Sequence, residues 1–193
     1  TLSSSSAASD VYKRQSQASA VGTSLLRSGL GFRAVSVDGV VRPYTVVLPR
    51  NYNPFKAYPV IIGFGGWKHD AGRTRSYQQL ERAAGECAIV VYPQGVNNAW
   101  GDAPYARTSM KLDIRFVRAV VANLGAMHKI DTKRVYAAGL SNGGGSRHSA
   151  AYRSVPDVYA SFSQRNGTGA RTEIHTAQSG GHTWFPGATN RVM

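Results

Sequence analysis

The sequence has little of three things, namely cysteine, acidic residues and long apolar runs. Its single cysteine, Cys87, excludes an intrachain disulfide, and because it introduces the apolar run 88–92 we expect it to be a small buried core residue. Charged or small polar residues interrupt every hydrophobic run before it approaches the ~20 apolar residues that a membrane-spanning helix needs. The sequence therefore predicts neither a membrane-spanning helix nor a membrane partner.

Acidic residues are scarce, since 10 of them face 23 basic ones and the formal net charge is +13. Such an excess attracts anionic material at low salt. The basic residues, however, are scattered from Arg27 to Arg191 with no run of four and no aromatic interleaving typical of a nucleic-acid module. We predict a generally solvated basic surface and no specific nucleic-acid partner.

Residues 1–30 are predicted to be a leader outside the folded domain. Their Ser/Ala-rich stretch carries Lys13 and Arg14 and has no apolar centre, so it does not match a secretory signal peptide. Residues 1–15 are similar to translated adaptor sequence, and we interpret the leader as foreign or disordered. Residues 31–193 are then predicted to be a single domain.

Strands and helices alternate along the regular part of the chain. Residues 34–42 predict an antiparallel hairpin at a sheet edge, turning at Asp38-Gly39. The apolar runs 58–64, 88–92 and 134–139 predict buried strands, while 76–84 and 112–124 predict helices. This alternation is typical of an α/β fold with a mainly parallel central sheet flanked by helices.

The pentapeptide at 139–143 reads GLSNG and follows a predicted buried strand. Gly139 and Gly143 flank Ser141 at minus two and plus two, where a sharp strand-to-helix turn needs small neighbours. Such a turn presents the serine hydroxyl as a nucleophile and aims the backbone N–H of the next residue, Asn142, at the developing oxyanion. We predict that Ser141 is the nucleophile of a nucleophile elbow.

A second oxyanion donor is expected from the loop after the strand at 58–64, which reads Gly65-Gly66-Trp67. The backbone N–H of Trp67 is the first candidate, and that of Gly66 is the alternative. A turn that merely closes the strand would also use glycines.

The general base is expected near the end of the chain, because the order in this kind of site is nucleophile, acid, histidine. Of the other histidines, His69 and His128 precede Ser141, His148 follows it directly and His175 lies in a predicted strand. His182 lies in a glycine-containing loop past that strand, from which an imidazole can reach the serine. We predict His182 as the base.

The elbow GLSNGG at 139–144 and the loop GGHTW at 180–184 together resemble a known family. They are similar to the extracellular poly(3-hydroxybutyrate) depolymerase and feruloyl/acetylxylan esterase group of the α/β-hydrolase superfamily, and segments 91–95, 113–118 and 130–136 match it as well. The resemblance implies a secreted serine esterase that needs neither a metal nor an organic cofactor. Its substrate would be a polyester or a plant cell-wall ester; the oligomeric state stays open.

Two departures from that family stand out. This chain has Gly65-Gly66 where many relatives have His-Gly, and the segment 142–181 is too short for the strands and the acid-bearing loop that normally follow the nucleophile helix. Its only carboxylates, Asp157 and Glu173, are poorly placed for a triad acid. The resemblance therefore implies an incomplete domain without strands after the nucleophile helix and without the acid, whose loss costs about 10⁴-fold in turnover in well-studied triads.

We predict a serine esterase most similar to polyhydroxybutyrate depolymerases, with a feruloyl or acetylxylan esterase as the alternative. The tryptophans Trp67, Trp100 and Trp184 are candidates for an aromatic surface that contacts a polymer or a phenolic acid, although tryptophans pack in cores about as often. An alternative of another class is a catalytically dead remnant that binds a polymer or a polyanion.

Overall fold

The structure is a computed structural model that describes residues 29–101 and 103–144. Residues 1–28 of the predicted leader 1–30 lie outside the described residues, whereas Leu30 begins the first strand of the fold. The predicted gap beyond the elbow and every predicted site residue after residue 144 also lie outside the described residues.

The described chain forms a five-stranded mixed sheet with the strand order β1-β2-β4-β3-β5. The strands are β1 (Leu30–Val37), β2 (Val40–Val47), β3 (Tyr58–Phe64), β4 (Ile89–Pro93) and β5 (Ile130–Gly139). β3 runs parallel to both β4 and β5, whereas β1 and β2 form an antiparallel hairpin whose second strand pairs with β4. The α/β fold and the hairpin are confirmed, and the described sheet is mixed rather than mainly parallel.

Helices cover both faces of this sheet. They are α1 (Ala71–Gln78), α2 (Leu80–Ala84) and α3 (Met110–Met127). Because side chains alternate between faces along a strand, Val60 and Ile62 pack with α3 residues such as Phe116, whereas Ile61 packs with Leu80 of α2 on the other side. This two-sided burial explains why β3 reads as a continuous apolar run.

The hairpin turn needs left-handed backbone at both of its residues. Asp38 has φ 52° and Gly39 has φ 79°, which matches the twist that a two-residue hairpin requires. The turn pairs Val37 with Val40 and brings β2 against the buried β4.

The predicted helix at 76–84 is wrong in its bounds, because two helices meet there. Asp70 caps the first of them and accepts a hydrogen bond from the Arg73 N–H at 2.6 Å, so that helix starts at Ala71. Gln79 then has φ 49°, a left-handed conformation at which α1 ends and after which α2 begins. The Leu80 N–H, which opens α2, donates to the hydroxyl of Tyr92 in β4 at 2.9 Å. A side chain of β4 thus provides the hydrogen-bond acceptor that this N–H lacks at the break between the two helices.

The expectation that Cys87 is a buried core residue is wrong, since Cys87 is exposed. It lies in the turn between α2 and β4, where its N–H donates to the Ala84 carbonyl at 2.8 Å. The apolar run that it introduces becomes buried only at Ala88.

Within residues 29–101 and 103–144, no helix is both long enough and apolar enough to cross a membrane.

Candidate active site

Ser141 lies directly beyond the carboxyl end of β5. The strand ends at Gly139, and residues Ser141–Gly144 form a short 3-10 turn. Ser141 has φ 57°, in the left-handed region that costs a residue with a side chain free energy and persists only where the surroundings enforce it. The chain therefore reverses sharply at this serine, as the glycine spacing predicts.

The two flanking glycines are required by close backbone approach. A Cβ on Gly139 would lie 2.4 Å from the Gly143 carbonyl oxygen, and a Cβ on Gly143 would lie 2.4 Å from the Gly65 carbonyl oxygen. The first contact closes the turn on itself. The second packs the turn against the loop that follows β3.

That loop is the second half of the candidate site. β3 and β5 pair in parallel up to Phe64 and Gly139, and the Phe64 carbonyl accepts hydrogen bonds from the Gln78 Nε2 at 2.9 Å and from the Leu140 N–H at 3.4 Å. A Cβ on Gly66 would lie 3.4 Å from the Ser141 Cβ and 3.9 Å from its Oγ. The backbone that leads into Trp67 therefore lies beside the serine side chain.

Trp67 and Trp100 have opposite environments. Trp67 is 44% exposed and stacks on Tyr105 with ring centroids 4.3 Å apart, while the Lys68 Nζ lies 4.4 Å from the Trp67 ring centroid. Trp100 is buried, so of the two alternatives for the tryptophans it follows core packing. Of the two, only Trp67 presents its aromatic ring to solvent.

Asn142 is buried, and its side chain makes two hydrogen bonds to the backbone of Trp100. The Trp100 N–H donates to Asn142 Oδ1 at 2.6 Å, and Asn142 Nδ2 donates to the Trp100 carbonyl at 3.1 Å. The Trp100 Nε1 in turn donates to the Gly65 carbonyl at 3.0 Å. These contacts join the turn at Ser141 to the loop after β3.

A buried ion pair between Arg42 and Asp113 contacts the backbone just after Trp100. Asp113 Oδ1 lies 2.6 Å from the Arg42 Nη1, and Asp113 Oδ2 accepts hydrogen bonds from the Gly101 N–H at 2.6 Å and the Thr108 Oγ1 at 3.0 Å. The Arg42 guanidinium carbon lies 3.9 Å from the Phe116 ring centroid. Sequence reasoning missed Asp113, although a carboxylate within the apolar stripe of α3 is a signal that a buried partner exists.

Two curated relatives of the chain are named feruloyl esterases. Feruloyl esterase B of Piromyces equi is 30% identical over 124 residues, which are 62% of this chain and 23% of that protein. Probable feruloyl esterase C of Aspergillus clavatus is 28% identical over 134 residues, which are 64% of this chain and 47% of that protein. The chain thus spans less than half the length of either relative. No protein-family model matches it.

Among solved structures, the complex of pOPH_S172C with DMSO matches with a TM-score of 0.50 at 17% identity, over 59% of this chain and 43% of that one. At such identity the match bears on the fold alone. The chain has an α/β-hydrolase fold. Its similarity in sequence is to the two feruloyl esterases.

The structure brings three of the predicted site residues together in neighbouring segments. Ser141, Asn142 and Trp67 lie at the carboxyl ends of two adjacent parallel strands, β5 and β3. The predicted base His182 and the two carboxylates weighed as the acid, Asp157 and Glu173, lie outside the described residues.

Two histidines lie among the described residues, and both have lowered pKa values. Burial, and then the charge of Arg73, lower the pKa of His69, while Asp70 acts in the opposite direction. His128 caps the end of α3, where burial, and then the charge of Arg33, lower its pKa. His69 lies near the loop after β3, since a Cβ on Gly65 would be 2.9 Å from the His69 Cβ.

In the part of the chain that the structure describes, no three His, Cys, Asp or Glu side chains are grouped so that they could hold a metal ion.

Proposed function

We propose that the chain is a serine hydrolase of carboxylic esters, with Ser141 as its nucleophile. The observation that carries this proposal is the left-handed turn at Ser141, which the backbone of the loop after β3 approaches through Gly66. A serine held in this way, beside backbone N–H groups fixed by packing, suits attack on a carbonyl and stabilisation of the resulting oxyanion. The names of the two curated relatives support the same reaction class.

In the proposed mechanism, His182 removes the proton from the Ser141 Oγ as the oxygen attacks the ester carbonyl. The backbone N–H groups of Asn142 and Trp67 donate to the oxyanion of the tetrahedral intermediate. The alcohol leaves with a proton from His182, and water then hydrolyses the acyl-enzyme with the same base. No step of this mechanism calls for a metal or an organic cofactor.

The proposed substrate is an ester of a phenolic acid, a polyester being the second candidate. The names of both curated relatives favour a feruloyl ester, and the exposed Trp67 stacked on Tyr105 offers an aromatic surface for a planar acyl group. The polyester candidate rests on the motifs around Ser141 and His182. By the same resemblance we propose that the protein acts outside the cell.

The test compares the full chain with Ser141→Ala, and with Ser36→Ala as a matched change at an exposed serine of β1. We expect a fluorophosphonate probe to label the wild type and Ser36→Ala at Ser141, as located by peptide mass spectrometry, and not to label Ser141→Ala. Hydrolysis of 4-nitrophenyl butyrate should follow the same pattern. If no acid orients His182, we expect the wild-type chain to turn over about 10⁴-fold more slowly than a serine esterase with a complete triad.

Substrate choice is measured by release of ferulate from methyl ferulate against release of 3-hydroxybutyrate from polymer granules. Faster turnover of the polymer would replace the phenolic substrate with the polyester. A chain that is folded by circular dichroism, yet neither labelled nor active, would overturn the esterase proposal. Polymer binding unaffected by Ser141→Ala would then favour the binding remnant.

A further inference from the structure

We propose that Trp100 is a positioning residue that fixes the turn at Ser141 relative to the loop Gly65-Gly66-Trp67. It does so from outside both segments, through three buried hydrogen bonds. The contacts described below support the positioning role. Its consequence for catalysis rests on the proposed esterase function.

The first two bonds join Trp100 to the serine turn. The Asn142 carboxamide accepts from the Trp100 N–H at 2.6 Å and donates to the Trp100 carbonyl at 3.1 Å, so it pairs with that backbone as a neighbouring strand would. Asn142 is 4% exposed and Trp100 is 5% exposed. Water therefore has little access to replace either bond, and breaking one leaves a buried polar group without its partner.

The third bond joins Trp100 to the loop after β3. Its indole Nε1 donates to the Gly65 carbonyl at 3.0 Å, and its ring packs edge-on against Phe64 with centroids 5.0 Å apart. The carbonyl oxygen of Gly65 is also the atom that a Cβ on Gly143 would meet first, at 2.4 Å. The indole thus holds a peptide that lies directly against the serine turn.

Trp100 is itself held from two other elements of the fold. The next peptide, at Gly101, donates to Asp113 Oδ2 of α3 at 2.6 Å, and Asp113 pairs with Arg42 of β2. The Arg42 guanidinium lies 5.9 Å from the centroid of the Trp100 ring. Trp100 is therefore held in place by α3 and β2, as a residue that positions others must be.

The strand ladder does not fix the two segments, because it stops short of the site. The pairing of β3 with β5 ends at Phe64 and Gly139, and the long 3.4 Å bond from the Leu140 N–H to the Phe64 carbonyl follows it. Beyond that point the two segments that would carry the oxyanion donors have left the sheet. A displacement of about 1 Å in such donors costs on the order of 100-fold in rate.

The experiment uses the full chain and Trp100→Phe, which keeps an aromatic ring but removes the indole N–H. Hydrogen–deuterium exchange with mass spectrometry is read in peptides covering 64–68 and 140–144. We expect exchange at least about 10-fold faster in both peptides, while peptides from β3 and β4 keep wild-type rates. Tyr52→Phe, which removes a 2.9 Å bond to the His128 Nδ1 instead, is the matched control and should leave both peptides unchanged.

With an ester substrate, Trp100→Phe should lower kcat by about 100-fold and change KM by less than about threefold, because oxyanion donors act mainly in the transition state. A merely structural role predicts a lowered melting temperature with kcat per folded molecule unchanged. If Trp100→Phe does not fold, Asn142→Ala cuts the other two bonds and the same two peptides are compared.

Unchanged exchange in both peptides of a folded variant would overturn the inference whatever the activity. A wild type without labelling or turnover would overturn the esterase proposal instead, and the exchange comparison would still decide whether Trp100 fastens the two segments.

Discussion

Gly139 and Gly143 have no room for a side chain, and the atoms that a Cβ would meet are backbone. Because backbone cannot move aside as the end of a side chain can, we expect Gly143→Ala to lower the free energy of unfolding by about 1–3 kcal/mol, as overpacking does. Urea unfolding followed by circular dichroism measures this, and fluorophosphonate labelling of Ser141 should fall in parallel.

Gly125→Ala is the matched control for that change. Gly125 lies inside α3, and a Cβ there would make an ordinary 3.6 Å contact with Ile130 of β5, so the higher helix propensity of alanine should raise stability by up to about 1 kcal/mol. A Gly143→Ala variant as stable as the wild type would show that the turn can open to admit a methyl group.

Gly139 and Gly143 show which features of single residues can be predicted from the local sequence. Their spacing around Ser141 predicts the turn, since only small residues fit so close to neighbouring backbone. The Asn142 side chain was missed, because its partner Trp100 lies 42 positions earlier and nothing local encodes such a contact. Cys87 was misjudged for a related reason, since its adjacency to an apolar strand does not reveal that the chain is still turning there.

At the scale of elements, α3 and β2 are joined by the Arg42–Asp113 pair, whose side chains are 3% and 5% exposed. Removing one partner of a buried pair leaves the other charge unbalanced. We expect Asp113→Ala to lower the free energy of unfolding by about 3–5 kcal/mol, measured by urea unfolding.

The exposed pair between Arg115 and Asp38 is the control for that experiment. Its side chains are 48% and 44% exposed, so Arg115→Ala should change stability by no more than about 1 kcal/mol. Similar losses in both variants would mean that burial does not set the strength of the inner pair.

Elements with a strong period or a defined turn were predictable, and those set by tertiary contacts were not. The hairpin follows from Asp38-Gly39, and α3 follows from apolar residues at helical spacing. The break at Gln79 did not follow, because it depends on the Tyr92 hydroxyl of β4, which accepts the Leu80 N–H. The burial of the acid Asp113 on the apolar face of α3 did not follow either, because its partners Arg42 and Gly101 come from other parts of the chain.

At the scale of the whole molecule, His128 makes stability depend on pH. Burial lowers its pKa from the ordinary 6.5 in the folded state, so below about pH 6.5 the unfolded chain takes up the proton more readily. Above that pH, His128 is neutral in both states and does not lower the free energy of unfolding. As the pH falls from there toward the lowered folded-state pKa, the free energy of unfolding decreases. Tyr52 bonds its Nδ1 at 2.9 Å, and Arg33 adds an unfavourable charge.

We therefore expect the urea midpoint of the wild type to fall more between pH 7.5 and pH 5 than that of His128→Gln. His69, whose pKa is also lowered, is present in both proteins and cancels in the comparison. Parallel pH profiles for the two proteins would contradict the role assigned to His128.

The wide spacing of β3 and β5 along the chain sets the order in which the molecule can assemble. The hairpin closes across Asp38 and Gly39, whereas β3 must pair with the distant β5, from Tyr58 up to Phe64, which is the longest closure in the described sheet. Longer closures cost more chain entropy and slow folding. The hairpin can therefore form early in folding, whereas Gly65 and Ser141 meet only when β5 docks, so a partly folded chain has no candidate site.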